Sequence, residues 1–550
     1  MTKALTRSSI IALLAASPAL ADVTPAQVWQ DQVDYLKASG YQITEGDRDE
    51  AGDTLTLTDV VASMTEADST VSITMPKVVL QQTGGDVRMV YGDWTGIANL
   101  TDNDDEKVEL RLSGDTGAIE TTVSGSPDDM TYASRGPQAT VRLDSVIADG
   151  KTISNPAVLT LNDIEGSYRS KKGDMHDLDY DATVKTGKLE VNVPDIEDKG
   201  ALAATFNLTD LTVKGQQAMP MGMVDFSKDM AGALNKGLMV DARMGFGAYD
   251  GSFDFAGKDE DGKAQAGKGT VKGEGGELAL TLSRDGIGYS GNGGKQEVEM
   301  TISDMPAPVK YALDDSAFDI QFPISASDAE QPYKIAYSIG GLTLGDELWS
   351  LFDPEKKLPR DPASIDLDVT GTARILRDLF DPKLAEDMDA KADEASDHAS
   401  EDAAKDATGE THDHDAHDDM AEGATEGMDD ADDMADYQPE PAPFEVGKVT
   451  INTFDIQAVG AHVQASGELT APEGGTIDQP VGKISATYEG VNGLLDSLVA
   501  MGLFSQEDAM GYRMMMGAFA KPVEGSDDKM TTDLEFKEGN QVFANGQRIQ

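Results

Sequence analysis

The chain has 550 residues with 100 acidic and 44 basic side chains, and its net charge is −56. This charge excludes a general nucleic-acid-binding protein, because the neutralisation of phosphates requires a basic surface. The absence of cysteine excludes disulfides, a thiolate nucleophile and a zinc–cysteine cluster. The hydrophobic share of 39% is typical of globular proteins, and the length predicts several domains.

The N-terminal sequence predicts a signal peptide at residues 1–21. Lys3 and Arg7 precede an apolar run at residues 10–16, and small residues precede the predicted cleavage position. The run is shorter than the roughly 20 residues that a membrane-spanning helix needs, and no later stretch approaches that length. We therefore expect cleavage after Ala21, a mature chain that starts at Asp22 without a transmembrane segment, and a periplasmic location.

A helix is predicted at the start of the mature chain. Thr24 can cap it, Pro25 suits its first position, and Gln27 completes a capping box. Gly40 is expected to end it. Its apolar residues at helical spacing are Trp29, Val33 and Leu36.

Polar–apolar alternation, the pattern of β-strands, dominates the rest of the chain. Gly, Asp and Asn separate the alternating segments at intervals of about ten residues. Parallel units would need helices between most strands, and such patterns are missing. The sequence therefore predicts a mainly β (α+β) fold of extended, curved antiparallel sheets with a few short helices. The clearest alternating segments are residues 54–61, 108–112, 157–161, 189–193, 206–213 and 298–302.

Short helices are expected between the groups of strands. The candidates are residues 225–236, a helix that begins after Asp353 and Pro354, and two C-terminal helices at residues 492–501 and 506–518.

One segment differs from the rest in composition. Residues 386–436 hold 21 acidic and two basic side chains and lack aromatic residues, Val, Ile and Leu. Such a segment cannot bury enough apolar surface to fold, so we expect a disordered insertion. The predicted organisation is a signal peptide (1–21), a helix plus β-rich domain (22–215), a central β-rich domain with short helices (216–385), the acidic segment (386–440) and a C-terminal β module with a two-helix insertion (441–550).

Several stretches resemble an uncharacterised alphaproteobacterial family, domain of unknown function number twenty-one twenty-five. They are VTPAQVWQDQVDYL, AMPMGMVDFSKDMAGALNKGLMVDARMGFG, LPRDPASIDLDVTGTA, LLDSLVAMGLFSQEDAMGY and DLEFKEGNQVFANGQRIQ. The resemblance implies no activity, because it brings no catalytic motif. The strand-rich, glycine-punctuated style is also similar to AsmA-like envelope proteins, which implies curved sheets with an apolar groove.

Two short motifs suggest ligands but fit strands better. Residues 286–291 match the G-x-G-x-x-G dinucleotide fingerprint, yet a strand follows where the fingerprint needs a helix. Asp177, Asp179 and Asp181 resemble the start of a calcium loop, but Lys188 stands where the bidentate Glu belongs. We interpret these aspartates as side chains on the solvent-exposed face of a strand.

Histidines and methionines offer weak possibilities for metal binding. The acidic segment contains His398, His412, His414 and His417, which would suit weak buffering of Zn²⁺, Ni²⁺ or Cu²⁺. Two methionine groups, Met219/Met221/Met223 and Met514/Met515/Met516, could bind Cu(I), although apolar core or groove lining is the preferred interpretation.

No catalytic pattern emerges from the remaining residues. His176 and His462 lie near no serine in a recognisable motif, and no pair among 100 acidic residues stands out. We expect a non-enzymatic envelope protein without catalytic, cofactor-binding or assigned metal-binding residues. Its predicted role is to bind an apolar ligand, such as a lipid, or a partner's hydrophobic segment in a β-sheet groove.

The C-terminal helices suggest where this groove could lie. Three successive methionines cannot all face one core, so a groove is expected between these helices and the sheet. The alternatives are a structural or assembly factor that contacts an envelope protein, and metal buffering by the acidic segment.

Overall fold

The computed structural model describes residues 23–66, 69–101, 107–148, 150–195, 200–221, 229–259, 261–381, 383–384 and 442–550. The predicted signal peptide and the predicted acidic segment lie outside the described residues.

Within those ranges, 29 strands form one antiparallel sheet, as the alternation predicted. The strands are β1 Gln42–Thr44, β2 Asp47–Ala51, β3 Thr54–Glu66, β4 Ser69–Thr83, β5 Asp86–Tyr91, β6 Trp94–Thr101, β7 Lys107–Asp115, β8 Glu120–Ser126, β9 Asp129–Ala148, β10 Lys151–Lys172, β11 Met175–Val193, β12 Ala201–Pro220, β13 Met239–Phe246, β14 Tyr249–Lys258, β15 Ala264–Gly273, β16 Gly276–Ser283, β17 Gly286–Gly293, β18 Gln296–Ile302, β19 Val309–Leu313, β20 Asp315–Phe322, β21 Gln331–Leu344, β22 Ala363–Ile375, β23 Phe444–Ala458, β24 Ala461–Thr470, β25 Val481–Glu489, β26 Lys521–Pro522, β27 Lys529–Lys537, β28 Gln541–Ala544 and β29 Gln547–Arg548.

Five helices accompany the sheet in the described part of the chain. They are α1 Pro25–Ala38, α2 Met230–Asn235, α3 Asp346–Phe352, α4 Val491–Ala500 and α5 Gln506–Phe519.

Groups of long strands lie next to groups of short strands that are paired end to end across the sheet. The long strand β4 pairs with β6 along its first half and with β5 along its second half. In the same way β9 pairs with β7 and β8, β12 with β13 and β14, and β21 with β19 and β20. Each position across the sheet therefore holds either one strand or two strands laid end to end.

The apolar side chains of the long strands share one face, but their spacing changes once per strand. Apolar positions recur at every second residue, as the pleat requires, except at one place where they lie three residues apart. In neighbouring strands this three-residue spacing occurs at positions that lie opposite each other, so the pairing of the strands continues without a register shift. We call this the step line, and its flanking pairs are Leu57/Val60, Met75/Val78, Gly136/Ala139, Leu161/Ile164, Val184/Gly187 and Leu208/Leu211.

A short recurrent motif produces the step in three strands. Leu-Thr-Asp-Val at residues 57–60, Leu-Asn-Asp-Ile at 161–164 and Leu-Thr-Asp-Leu at 208–211 share an aspartate with positive φ. The φ angles of Asp59, Asp163 and Asp210 are 50°, 51° and 50°. Aspartate tolerates this left-handed conformation better than most residues with a β-carbon. The motif thus lets a strand continue while its alternation shifts.

Helix α1 covers one end of the apolar face. Its predicted capping box is present, with the Thr24 backbone N–H donating to Gln27 Oε1 at 2.9 Å and the Gln27 backbone N–H donating to Thr24 Oγ1 at 3.4 Å. The predicted residues Trp29 and Val33 join a buried core with β3, β4, β5, β8 and β9, whereas Leu36 is half-buried outside this core. The helical residues in this core are Val28, Trp29 and Val33.

The short helices differ from the sequence prediction in two places. The helix predicted at residues 225–236 is shorter in the structure, where α2 begins after its N-cap Asp229, and residues 225–228 lie outside the described residues.

The helix expected after Asp353 and Pro354 is absent, and α3 ends just before them. The Asp353 carboxylate accepts hydrogen bonds from the backbone N–H groups of Lys357 at 2.7 Å and Leu358 at 3.1 Å, which closes a turn. The prediction mistook this turn-forming aspartate for a helix cap. Both C-terminal helices lie within one residue of their expected bounds.

The predicted division into domains stays a prediction. Strand β12 is continuous through residues 215 and 216, where the first predicted boundary falls.

Candidate functional site

Beyond α1, the apolar face of the sheet carries large side chains that the described residues leave exposed. The strand pairing places all of these side chains on the same face of the sheet that α1 covers near the N-terminus. Phe206 and Ile320, for example, are 39% and 45% exposed. The set comprises Leu189, Leu202, Phe206, Met244, Leu280, Tyr289, Ile320, Ile335 and Tyr337. An apolar surface this extended usually marks a ligand or partner site.

Aromatic rings on this face lie over glycines of the neighbouring strand. A β-carbon added to Gly269 would lie 2.6 Å from the Phe253 ring, and one added to Gly273 would lie 2.2 Å from the Tyr249 ring. Gly267 is covered by Phe255 in the same way. Because glycine has no side chain, the rings can lie close to the sheet and form a low apolar floor.

A cavity of about 220 Å³ opens on this floor. Its lining is almost entirely apolar and comes from β11, β12, β14, β15 and β18. The apolar side chains that form it are Leu189, Val191, Phe206, Phe253, Val271 and Val298. A cavity of this chemistry suits a hydrocarbon chain rather than a polar ligand.

The step line does not interrupt the floor. Phe246 and Tyr249 lie on either side of it, and their ring centroids are 6.0 Å apart in an edge-to-face arrangement. Tyr249 also contacts Phe206, with centroids 5.8 Å apart. Side chains from both halves of the sheet therefore meet on one continuous surface.

The opposite face of the same strands is polar. Lys268 and Thr301 are cross-strand neighbours there, and Lys310 forms an ion pair with Glu299 at 3.2 Å. Asp181 and Lys214 form another at 3.0 Å. The sheet is thus amphipathic, with its charges on the face that α1 does not cover.

A buried polar cluster fixes α1 to the sheet. Asp31 is 2% exposed and accepts hydrogen bonds from the Tyr132 hydroxyl at 2.7 Å and from Ser170 Oγ at 3.3 Å. Lys172 Nζ lies 3.0 Å from Asp31 Oδ1 and 2.9 Å from Asp34 Oδ2. Because a buried carboxylate needs such partners, these contacts hold α1 in one position.

His176 belongs to this cluster, although no sequence motif had linked it to a serine. Its Nε2 lies 2.8 Å from Ser170 Oγ, and both side chains are buried. Burial lowers the pKa of His176; the Asp31 carboxylate opposes this shift and the Lys172 ammonium reinforces it. The aspartate contacts the serine and not the histidine, so the order of a catalytic triad is not reproduced.

Asp31, Ser170 and Lys172 were not recognisable from the sequence as members of one cluster. Asp31 and Ser170 are 139 residues apart in the chain, and each stands in an ordinary helix or strand pattern. No local signal could have joined them, since only the pairing of α1 with β10 does so.

The two ligand-like motifs lie in strands, as interpreted from the sequence. Residues 286–291 belong to β17, where Gly291 makes room for the Phe318 ring. Asp177, Asp179 and Asp181 belong to β11. Neither geometry offers a phosphate or calcium site.

The candidate metal-binding residues are dispersed or lie outside the described residues. His398, His412, His414, His417 and Met223 lie outside them. Met219 is buried in a core with α2, whereas Met221 is exposed. His462 Nε2 lies 2.8 Å from Asp455 Oδ1. The described ranges contain no group of three or more His, Asp or Glu residues placed to hold a metal ion.

The groove expected between the C-terminal helices and the sheet is not formed. Helix α5 exposes Met510, Met514 and Met515 to 61%, 72% and 52%, and α4 contains no fully buried residue. The prediction placed these methionines over the sheet, but α5 packs on α4 through Arg513, which donates to Asp496 Oδ1 at 2.7 Å. The apolar face of the sheet is instead exposed further along the chain. Of the helices in the described ranges, none is long and apolar enough to cross a membrane.

A known protein family matches this chain over its C-terminal part, and the match brings no activity. The family model DUF2125, described as an uncharacterised protein conserved in bacteria, matches residues 376–545 and confirms the predicted resemblance there. No curated protein matches the chain.

Two solved structures show only distant likeness. The alcaligin outer membrane receptor FauA of Bordetella pertussis is 8% identical, over 92% of this chain and 69% of that one, with a TM-score of 0.14. The ferric preacinetobactin receptor BauA of Acinetobacter baumannii is 8% identical, over 92% and 78%, with a TM-score of 0.12. Both TM-scores are too low to support an argument about fold or function.

Proposed function

We propose that this DUF2125-related protein is exported and binds the hydrocarbon chain of a lipid along the apolar face of its sheet. The observation that carries the proposal is the row of exposed apolar side chains on one face, with an apolar cavity among them. The proposed role is binding without catalysis, because the Ser170–His176 pair is buried.

A hydrocarbon chain fits this floor better than an extended peptide does. The backbone N–H and C=O groups of β12, β14 and β15 pair with neighbouring strands. A peptide lying across their apolar side chains would leave its own backbone groups without partners, and each such group costs a few kcal/mol. A hydrocarbon chain has no such groups, and each Å² of apolar surface that it buries contributes about 25 cal/mol.

The proposal is tested on the full-length exported protein. The fluorescent fatty acid cis-parinaric acid serves as the probe, and organic extraction with mass spectrometry identifies lipid that copurifies. The variant Leu189→Asp/Phe206→Asp places charges on the floor, whereas Thr301→Asp places one on the polar face beside Lys268. We expect the first variant to bind the probe at least about tenfold more weakly and the second to bind like the wild type.

These substitutions separate binding from folding. Leu189 and Phe206 are cross-strand neighbours, so the double variant should unfold at a lower temperature because its two carboxylates repel each other. Binding is therefore compared at a temperature at which circular dichroism shows that the wild type and both variants are folded. A wild-type protein that neither binds the probe nor copurifies with lipid would contradict the proposal. Such a result would favour the assembly-factor alternative.

Export itself has a direct test. The proposed signal peptide requires that the N-terminus of the secreted protein be Asp22, because small side chains precede this residue. Mass spectrometry of the protein recovered from the periplasm gives the answer, and a mature chain that retains Met1 would contradict the proposed location.

A further inference from the structure

Helix α5 presents an apolar face that no other described element covers. Met510, Met514 and Met515 are each more than half exposed, and Tyr512 and Phe519 are exposed beside them. At about 100° per residue, these five side chains spread over more than half of the helix circumference. Helix α5 therefore turns most of its apolar surface outward.

The sheet does not need this helix to complete its core. Strands β25 and β27 pair directly with each other, and α4 and α5 form an excursion between them. Helix α5 is attached on its other side, where Ala509 is buried and Arg513 donates to Asn492 and Asp496 of α4. The exposed face is thus free to take a partner without any rearrangement of the sheet.

The excursion that carries this face is acidic. Residues 490–528 contain six acidic and two basic residues, which gives a net charge of −4. Glu507 and Asp508 lie in the first turn of α5, and the helix's single arginine, Arg513, is already paired with Asp496. Glu507 and Asp508 therefore place negative charge at the N-terminal end of the apolar face, and we call these two residues its acidic rim.

We infer that this methionine-rich face of α5 binds a basic amphipathic helix of another protein. A helix satisfies its own backbone hydrogen bonds, its apolar side can bury the methionines, and its Lys and Arg residues can face the acidic rim. Methionine side chains are flexible and accept apolar partners of varied shape. A second copy of this chain and an anionic membrane are disfavoured, since both would repel a net charge of −56.

The test uses the full-length protein and two synthetic peptides. One peptide alternates Leu and Lys with the period of an amphipathic helix, and the other has Glu in place of Lys. Binding is measured by calorimetry for the wild type, for Met514→Asp in α5, and for Met221→Asp, an equally charged change at an exposed methionine elsewhere.

We expect the Leu–Lys peptide to bind and the Leu–Glu peptide to bind at least about tenfold more weakly. Met514→Asp should weaken binding of the basic peptide about tenfold, whereas Met221→Asp should leave it unchanged. The added negative charge would strengthen a purely electrostatic attraction, so a loss at residue 514 reports the apolar contact. Thermal unfolding of both variants should match the wild type because both methionines are exposed.

Four outcomes would overturn the inference. Equal binding of both peptides, or equal effects of both substitutions, would show that α5 does not recognise a basic amphipathic helix. Self-association in sedimentation experiments that Met514→Asp abolishes would assign the face to a second copy. Binding to phosphatidylcholine vesicles that Met514→Asp abolishes would assign it to a membrane surface.

Discussion

His176 Nε2 and Ser170 Oγ are 2.8 Å apart in the interior of the protein, directly beside the carboxylate that anchors α1. This histidine links the stability of the helix contact to pH. The charged groups around it are Asp31, Asp34, Lys172 and Asp177.

We expect stability to fall as the pH is lowered through about 6.5. Burial lowers the pKa of His176 below its ordinary value of 6.5, so between these two values the unfolded chain binds more protons than the folded protein. Stability from the neutral imidazole is therefore present above pH 6.5 and is lost as the pH falls towards the lowered pKa. His176→Gln keeps a hydrogen-bonding group but cannot titrate.

Calorimetric unfolding at a series of pH values checks this prediction. The difference in unfolding midpoint between the wild type and His176→Gln should shrink at acid pH. Comparison of the two proteins cancels the titration of the many carboxylates that they share. A difference that stays constant from about pH 8 to about pH 5 would show that His176 does not titrate as expected.

Loss of the Asp31 carboxylate should be severe. Asp31→Ala leaves the Lys172 ammonium without its buried partner and the Tyr132 hydroxyl without an acceptor, so we expect a loss of about 3 kcal/mol or more in the free energy of unfolding. Asp34→Ala, in a side chain that is 44% exposed, is the control and should cost less than about 1 kcal/mol. Denaturant unfolding measures both, and similar losses would contradict the anchoring role of Asp31.

The stability of variants at the step line should depend on how well the new residue adopts a positive φ. Asp163 has a φ of 51°, which glycine adopts freely and β-branched residues strongly disfavour. We expect Asp163→Gly to be nearly neutral and Asp163→Val to destabilise by at least about 1 kcal/mol. Equal stability of the two variants in denaturant titrations would mean that the positive φ carries no cost.

Glycines beneath the aromatic rings should not tolerate a methyl group. In Gly269→Ala the new β-carbon would lie 2.6 Å from the Phe253 ring and 2.9 Å from the Glu299 carbonyl oxygen, so we expect a loss of about 1–3 kcal/mol. Gly517→Ala in α5 meets no atom within 4 Å and should stabilise by up to about 1 kcal/mol. Thermal unfolding distinguishes the two, and a neutral Gly269→Ala would contradict the close contact.

The alternation of polar residues such as Thr with apolar residues such as Val was sufficient to predict the antiparallel sheet. Segments such as residues 189–193 and 298–302 lie in strands because their period of two fits a sheet with one apolar face. The capping box at Thr24 likewise predicted the start of α1, because it depends only on residues close together in the chain. The similarity to AsmA-like proteins stays a prediction.

The site was harder to predict because it depends on which strands pair. Leu189 and Phe206 look like ordinary core residues in isolation, and only the absence of a covering element from the described ranges makes them a surface. The Leu-Thr-Asp-Val motif at residues 57–60 was visible, but its role as a step needs the partner strand. The methionines of α5 were noticed for their number and were assigned to the wrong surface.

The shared three-residue step also constrains how such a chain can change its length during evolution. A duplicated hairpin that carries its own step would extend the sheet and keep every side chain on its proper face. Deletion of one residue, such as Asp163, would instead turn half of β10 over and place its charges against the hydrophobic floor. The hairpin, rather than the single residue, is therefore the unit of insertion and deletion in this protein.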